Sequence, residues 1–140
     1  MLNKLNKIYF EVAPSKITGV GLIAIRDIPK GTFLFKATNP EVKYYTYKYL
    51  RDNGIPLSVI KMIKKYFAND KKGIELPIDF YDDTFLQIVF YINHSNNPNV
   101  KHIDSSNSYV TKRKIKKNEE LTINYNTNDY CPECIHFDVN

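Results

Sequence analysis

Asn93-His94-Ser95-Asn96-Asn97-Pro98-Asn99 says more about the architecture of this chain than any other seven residues. It follows an apolar run, Ile88-Val89-Phe90-Tyr91-Ile92, and sets turn-forming residues on both sides of a serine. Taken alone it is ordinary turn chemistry. Further on comes Glu119-Glu120-Leu121-Thr122-Ile123-Asn124-Tyr125, in which apolar and polar residues alternate as in a strand. Far upstream stands Thr18-Gly19-Val20-Gly21-Leu22, followed by Asp27-Ile28-Pro29-Lys30-Gly31.

Size and composition bound what surrounds these three stretches. A chain of 140 residues is expected to form one domain, long enough to bury its own core. No apolar run is long enough for a membrane span, and residues 1–7 lack the apolar centre of a secretory signal. Two cysteines, Cys131 and Cys134, cannot build a disulfide framework, which favours an intracellular location. The net charge is +5, but 17 of the 20 basic residues are lysine, and Asn, Ile and Tyr are also plentiful. All four share A/T-rich codons, so the lysine excess reads mainly as a solvated surface rather than a DNA-binding face. Arginine, the better reader of phosphates and bases, is scarce.

The pattern along the chain predicts short strands at 8–12, 22–25 and 33–35, then a change of character. A helix is expected over 58–69, with Ile60, Ile63 and Phe67 on one stripe and Gly73 as its stop. A second is expected over 44–50, and a third over 84–91, capped by Asp82 or Asp83. Strands resume at 100–103, 108–112 and 120–125.

In this order the three stretches resemble the SET domain family of protein lysine methyltransferases. The resemblance covers nearly the whole chain. It implies a mainly β fold with a few helices, a β-clip of short strands with a pseudoknot-like C-terminal crossing and a helical insert. Residues 1–140 would then be a single SET domain, with the variable insert at about 40–80 and a closing segment at about 126–140. With no extra zinc-bearing region, the chain is similar to minimal, virus-type members, and its A/T-biased composition suits a viral source.

The resemblance also implies a chemistry. Gly19, Val20 and Gly21 would contact S-adenosylmethionine, where missing Cβ atoms let a ligand approach the backbone. Asn93 would contact the methionine part of that cofactor, and the backbone of His94 its adenine edge. Ser95 and Asn99 would hold the local backbone rather than do chemistry. Tyr125 would be the catalytic tyrosine, orienting a lysine amine in an apolar channel. Ile123, where many members carry Phe or Tyr, would line that channel and leave room for more than one methyl group. His102 would line it too, although a solvated strand histidine fits equally well. Tyr130, by spacing, and then Phe137 would close the cofactor and lysine sites.

Some positions depart from the family pattern. Asn96 stands where larger relatives carry a zinc-binding cysteine, and only two cysteines follow Tyr125. The family's zinc cluster cannot be built from them, so no metal is expected; a site from Cys131, Cys134 and His136 would still need a fourth ligand. Asn126 replaces a common glycine. The substrate implied is a histone tail, that of H3 foremost, or another lysine-bearing protein. A histone would bring nucleosome contact and a nuclear location, and a homodimer is compatible with so small a domain. Glu41, Asp79, Asp82, Asp83 and Asp104 are the acids available to face a basic tail. Two other readings stand beside this one: an inactive SET-fold binding module, and a basic chromatin-binding protein.

Overall fold

The computed structural model describes residues 2–37, 41–78 and 87–126. They fall into two units, one from 2–37 with 87–126 and one from 41–78. The first is built mainly from short strands, and the second combines two strands with two short helices.

In the first unit, a short helix α1 (Leu2–Leu5) precedes the hairpin of β1 (Phe10–Pro14) and β2 (Val20–Ala24). Their register runs from Phe10 opposite Ala24 to Pro14 opposite Val20. Pro14 lacks an amide hydrogen, and β1 is an edge strand, where that lack is tolerated. The chain then forms β3 (Phe33–Lys36), which belongs to a different sheet.

The second unit starts with β4 (Val42–Thr46), continues through α2 (Tyr47–Asp52) and α3 (Leu57–Ile63), and ends with β5 (Gly73–Pro77). β4 and β5 pair antiparallel, from Val42 opposite Pro77 to Thr46 opposite Gly73. The helix expected over 44–50 therefore begins later, at Tyr47. Tyr44 and Tyr45 lie in the strand, and Thr46 is the cap, its Oγ1 accepting from Tyr49 N at 3.1 Å. The helix expected over 58–69 is shorter, Leu57–Ile63, with Pro56 at its cap. The apolar stripe still holds, because Ile60, Ile63 and Phe67 are all buried. Gly73 opens a strand rather than stopping a helix: a Cβ there would meet the Tyr44 ring at 2.6 Å. Of the helix expected over 84–91, residues 84–86 lie outside the described residues, and Ile88–Tyr91 form a 3-10 turn.

The first unit resumes with β6 (Asn93–His94), a two-residue strand that the local pattern does not predict. β7 (Val100–Ile103) and β8 (Ser108–Thr111) follow, then β9 (Glu120–Ile123). β3, β8 and β7 form one antiparallel sheet in that order. The other sheet has the order β1-β2-β9-β6. The last strand is thus inserted between the N-terminal hairpin and the Asn93-His94 strand, antiparallel to β2 and parallel to β6. This is the C-terminal crossing that the resemblance implies. One apolar cluster, including Leu22, Ile28, Ile92, Tyr109, Leu121 and Ile123, holds the unit together. No helix among the described residues is long and apolar enough to cross a membrane.

Candidate active site

β9 organises the site because it pairs with both β2 and β6. Asn99 ties it down from outside the ladder: its Nδ2 donates to Glu120 O at 2.8 Å and its Oδ1 accepts from Thr122 N at 2.8 Å. One buried side chain thereby supplies β9 with the two bonds a neighbouring strand would give. Ser95 works the same way at short range, its Oγ accepting from Asn97 N at 3.1 Å.

The sheet and the loops beside it bring together Gly19, Val20, Gly21, Asn93, His94, Ile123 and Tyr125. Gly19 has φ +52°, in the left-handed region that favours glycine. Gly21 is needed for a different reason. A Cβ there would overlap Glu120 Oε1 and lie 2.8 Å from Glu120 Cδ and 3.1 Å from Asn93 Nδ2. The second glycine therefore makes room for a protein carboxylate.

Asn93 is buried, and its Nδ2 donates to Glu120 Oε1 at 2.7 Å, with Val20 O and Ser15 Oγ each at 3.1 Å. Ser15 Oγ donates to the same carboxylate at 2.8 Å. It also accepts from Ile17 N at 2.9 Å and Thr18 N at 3.2 Å, which shapes the Gly19 loop.

His94 joins β6 to Tyr125. Its Nδ1 accepts from Tyr125 N at 3.1 Å, so the ring hydrogen is assigned to Nε2, which lies 3.0 Å from Asn96 Oδ1. The His94 and Tyr125 rings are 5.2 Å apart and tilted. The Tyr125 hydroxyl donates to Ile92 O at 2.6 Å. Burial, with the charge of Glu120 second, pushes its pKa up to about 12. It is a neutral phenol at physiological pH.

Ile123 lies in the apolar cluster, 4% exposed. His102 is on the other sheet, where Nε2 faces Asn107 Oδ1 at 2.7 Å, Nδ1 faces Asp104 Oδ1 at 2.8 Å, and the ring lies 5.0 Å from that of Tyr109. Among the described residues no group of three or more His, Cys, Asp or Glu is placed to hold a metal ion. Tyr130, Phe137, Cys131, Cys134 and His136 lie outside the described residues, as do Asp79, Asp82 and Asp83.

Two residues of this cluster carry no distinguishing mark in the sequence. Ser15 reads there as a turn residue, and Glu119 and Glu120 look alike. The structure separates the two acids. Glu119 faces outward to Arg113 at 2.9 Å, and that guanidinium holds its carboxyl below the usual carboxylate range. Glu120 turns in toward Asn93.

The residues fit a cationic, methionine-like ligand: the Asn93 side-chain oxygen and the carbonyls of the glycine loop are acceptors, and the half-buried Tyr125 ring adds an aromatic face.

The family model described as SET domain matches residues 19–126. The chain is 30% identical over 134 residues to "Histone-lysine N-methyltransferase, H3 lysine-36 specific" of Mycosarcoma maydis, covering 86% of this chain and 12% of that protein. It is 32% identical over 131 residues to "Histone-lysine N-methyltransferase trr" of Drosophila melanogaster, covering 86% of this chain and 5% of that protein. A solved structure of a humanized mutant of the Chaetomium thermophilum Polycomb Repressive Complex 2, bound to the inhibitor GSK126, aligns with 86% of this chain and 15% of that chain, at 19% identity and a TM-score of 0.47. The chain spans a small part of the length of the curated relatives it matches.

Proposed function

This chain belongs to the SET domain family, and we propose that it is an S-adenosylmethionine-dependent protein lysine methyltransferase acting on a histone H3 tail. The observation that carries the reading is Tyr125: a half-buried phenol whose ring lies beside His94 and whose hydroxyl donates to Ile92 O, next to Asn93.

A lysine amine has a pKa of about 10.4 in water and is mostly protonated at neutral pH. An apolar channel disfavours the charged form and frees the nitrogen lone pair. S-adenosylmethionine, when bound, supplies a methyl group on a positively charged sulfur, which the lysine nitrogen displaces in line. Tyr125 gives its hydroxyl hydrogen to Ile92, so its oxygen meets an amine as an acceptor. The amine must donate an N–H to it, which fixes where the lone pair points. This is catalysis by positioning and desolvation, with no covalent enzyme intermediate. Gly19, Val20, Gly21, Asn93 and His94 are the described residues that would hold the cofactor, and Tyr130 and Phe137 would close the sites. Ile123 offers no hydrogen bond to the amine, which supports more than one round of methylation.

A histone substrate carries with it a nuclear location, nucleosome contact and a part in chromatin regulation, and the domain is small enough to act as a homodimer. An inactive binding module with the same fold is the second reading, kept by Asn126 where the family favours glycine. Calorimetric titration with S-adenosylmethionine tests the proposal. Saturable one-site binding is expected; no binding overturns it.

A further inference from the structure

The carboxylate of Glu120 is the group on this sheet that the proposed reaction does not use. It springs from a strand with neighbours on both sides, where charge is costly unless hydrogen-bonded. Its partners are distant in sequence: Ser15 lies 105 residues away and Asn93 27. β2 also gives up a side chain at Gly21 to admit it.

The consequence falls on Asn93. An amide nitrogen has two hydrogens, and here it faces Glu120 Oε1, Val20 O and Ser15 Oγ. Turning the amide over would place Oδ1 against the carboxylate and the Val20 carbonyl, acceptors facing acceptors. The Nδ2 end is therefore committed to the protein. What Asn93 has left to offer a ligand is Oδ1, an acceptor.

We propose that Glu120 is a positioning residue, which with Ser15 locks the Asn93 amide so that it presents an acceptor to the ammonium group of the cofactor. This rests on the reading of the site as a cofactor site. Ser15 serves both parts: it holds the carboxylate and, through Ile17 N and Thr18 N, the loop that leads to Gly19. Without Glu120 the amide loses its shortest bond, at 2.7 Å, and only the Val20 and Thr18 carbonyls oppose its turning over to offer N–H groups to a cation.

The test uses the full chain with Glu120→Ala and Glu120→Gln. The Asn93 side-chain amide is followed by nitrogen-15 NMR in the free protein, and S-adenosylmethionine binding by calorimetry. In the wild type the Asn93 amide hydrogens should exchange slowly. Glu120→Ala should reduce that protection and weaken cofactor binding about 10-fold, while KM for a lysine peptide changes less than about 2-fold. Glu120→Gln retains an acceptor for Nδ2 and should restore most of both. If Glu120→Ala does not fold, Glu120→Asp, which withdraws the carboxylate by one methylene, carries the same test. Unchanged amide protection in a folded variant overturns the inference, and so does unchanged cofactor affinity beside a binding wild type. A wild type that binds no cofactor overturns the parent reading instead, and the amide signals still decide whether Glu120 locks Asn93.

Discussion

Tyr125 has its hydroxyl hydrogen committed to Ile92 O and its backbone amide committed to His94. Both ends are fixed, so in the proposed reaction it would hold an amine rather than remove a proton. The raised pKa has a measurable consequence. The folded value, about 12, stands above the unfolded value of about 10, so the folded protein holds this proton more tightly. The resulting stabilisation, on the order of 2 to 3 kcal/mol, is complete below about pH 10 and is lost as pH rises through about 12. Tyr47 is raised by burial too, and Tyr109 is fully buried, so absorbance titration in the phenolate band should show a late step that is smaller by one tyrosine in Tyr125→Phe. A Tyr125 ionising with the exposed tyrosines would contradict the burial argument.

Among the elements, β9 carries the site, and Asn99 carries β9. Replacing Asn99 with Ala removes two buried bonds and leaves Thr122 N and Glu120 O without them. A loss of about 2 to 4 kcal/mol in urea unfolding is expected; a loss under about 0.5 kcal/mol would show that β9 does not depend on this side chain. Several elements could be read from local pattern alone. β7 falls on the expected 100–103, and β9 starts at the expected Glu120. The misreadings have physical causes. Tyr44 and Tyr45 favour a strand, and β4 exists because β5, well along the chain, pairs with it. Glu120 was hidden for the same reason: its meaning comes from Ser15 and Asn93, which no local pattern connects to it.

Across the whole molecule, charge is unevenly distributed along the chain. Residues 79–86 and 127–140 contain Asp79, Asp82, Asp83, Asp129, Glu133 and Asp138 and no lysine or arginine. The rest of the chain holds all 20 basic residues. A basic histone tail would meet repulsion from most of this protein and attraction from those two segments. Changing Asp79, Asp82 and Asp83 together to Asn should raise KM for an H3-tail peptide about 5-fold at low salt, with kcat little changed, and the difference should shrink as salt rises. An unchanged KM would place tail recognition elsewhere.

Methyl transfer that depends on Tyr125 is the central proposal for this site. Incubating the protein with methyl-labelled S-adenosylmethionine and core histones, beside Tyr125→Phe, puts it to the proof. Label on a histone lysine from the wild type, lost in a variant that still folds and still binds cofactor, is the predicted result. No label from a wild type that binds cofactor, or equal label from both proteins, would contradict it.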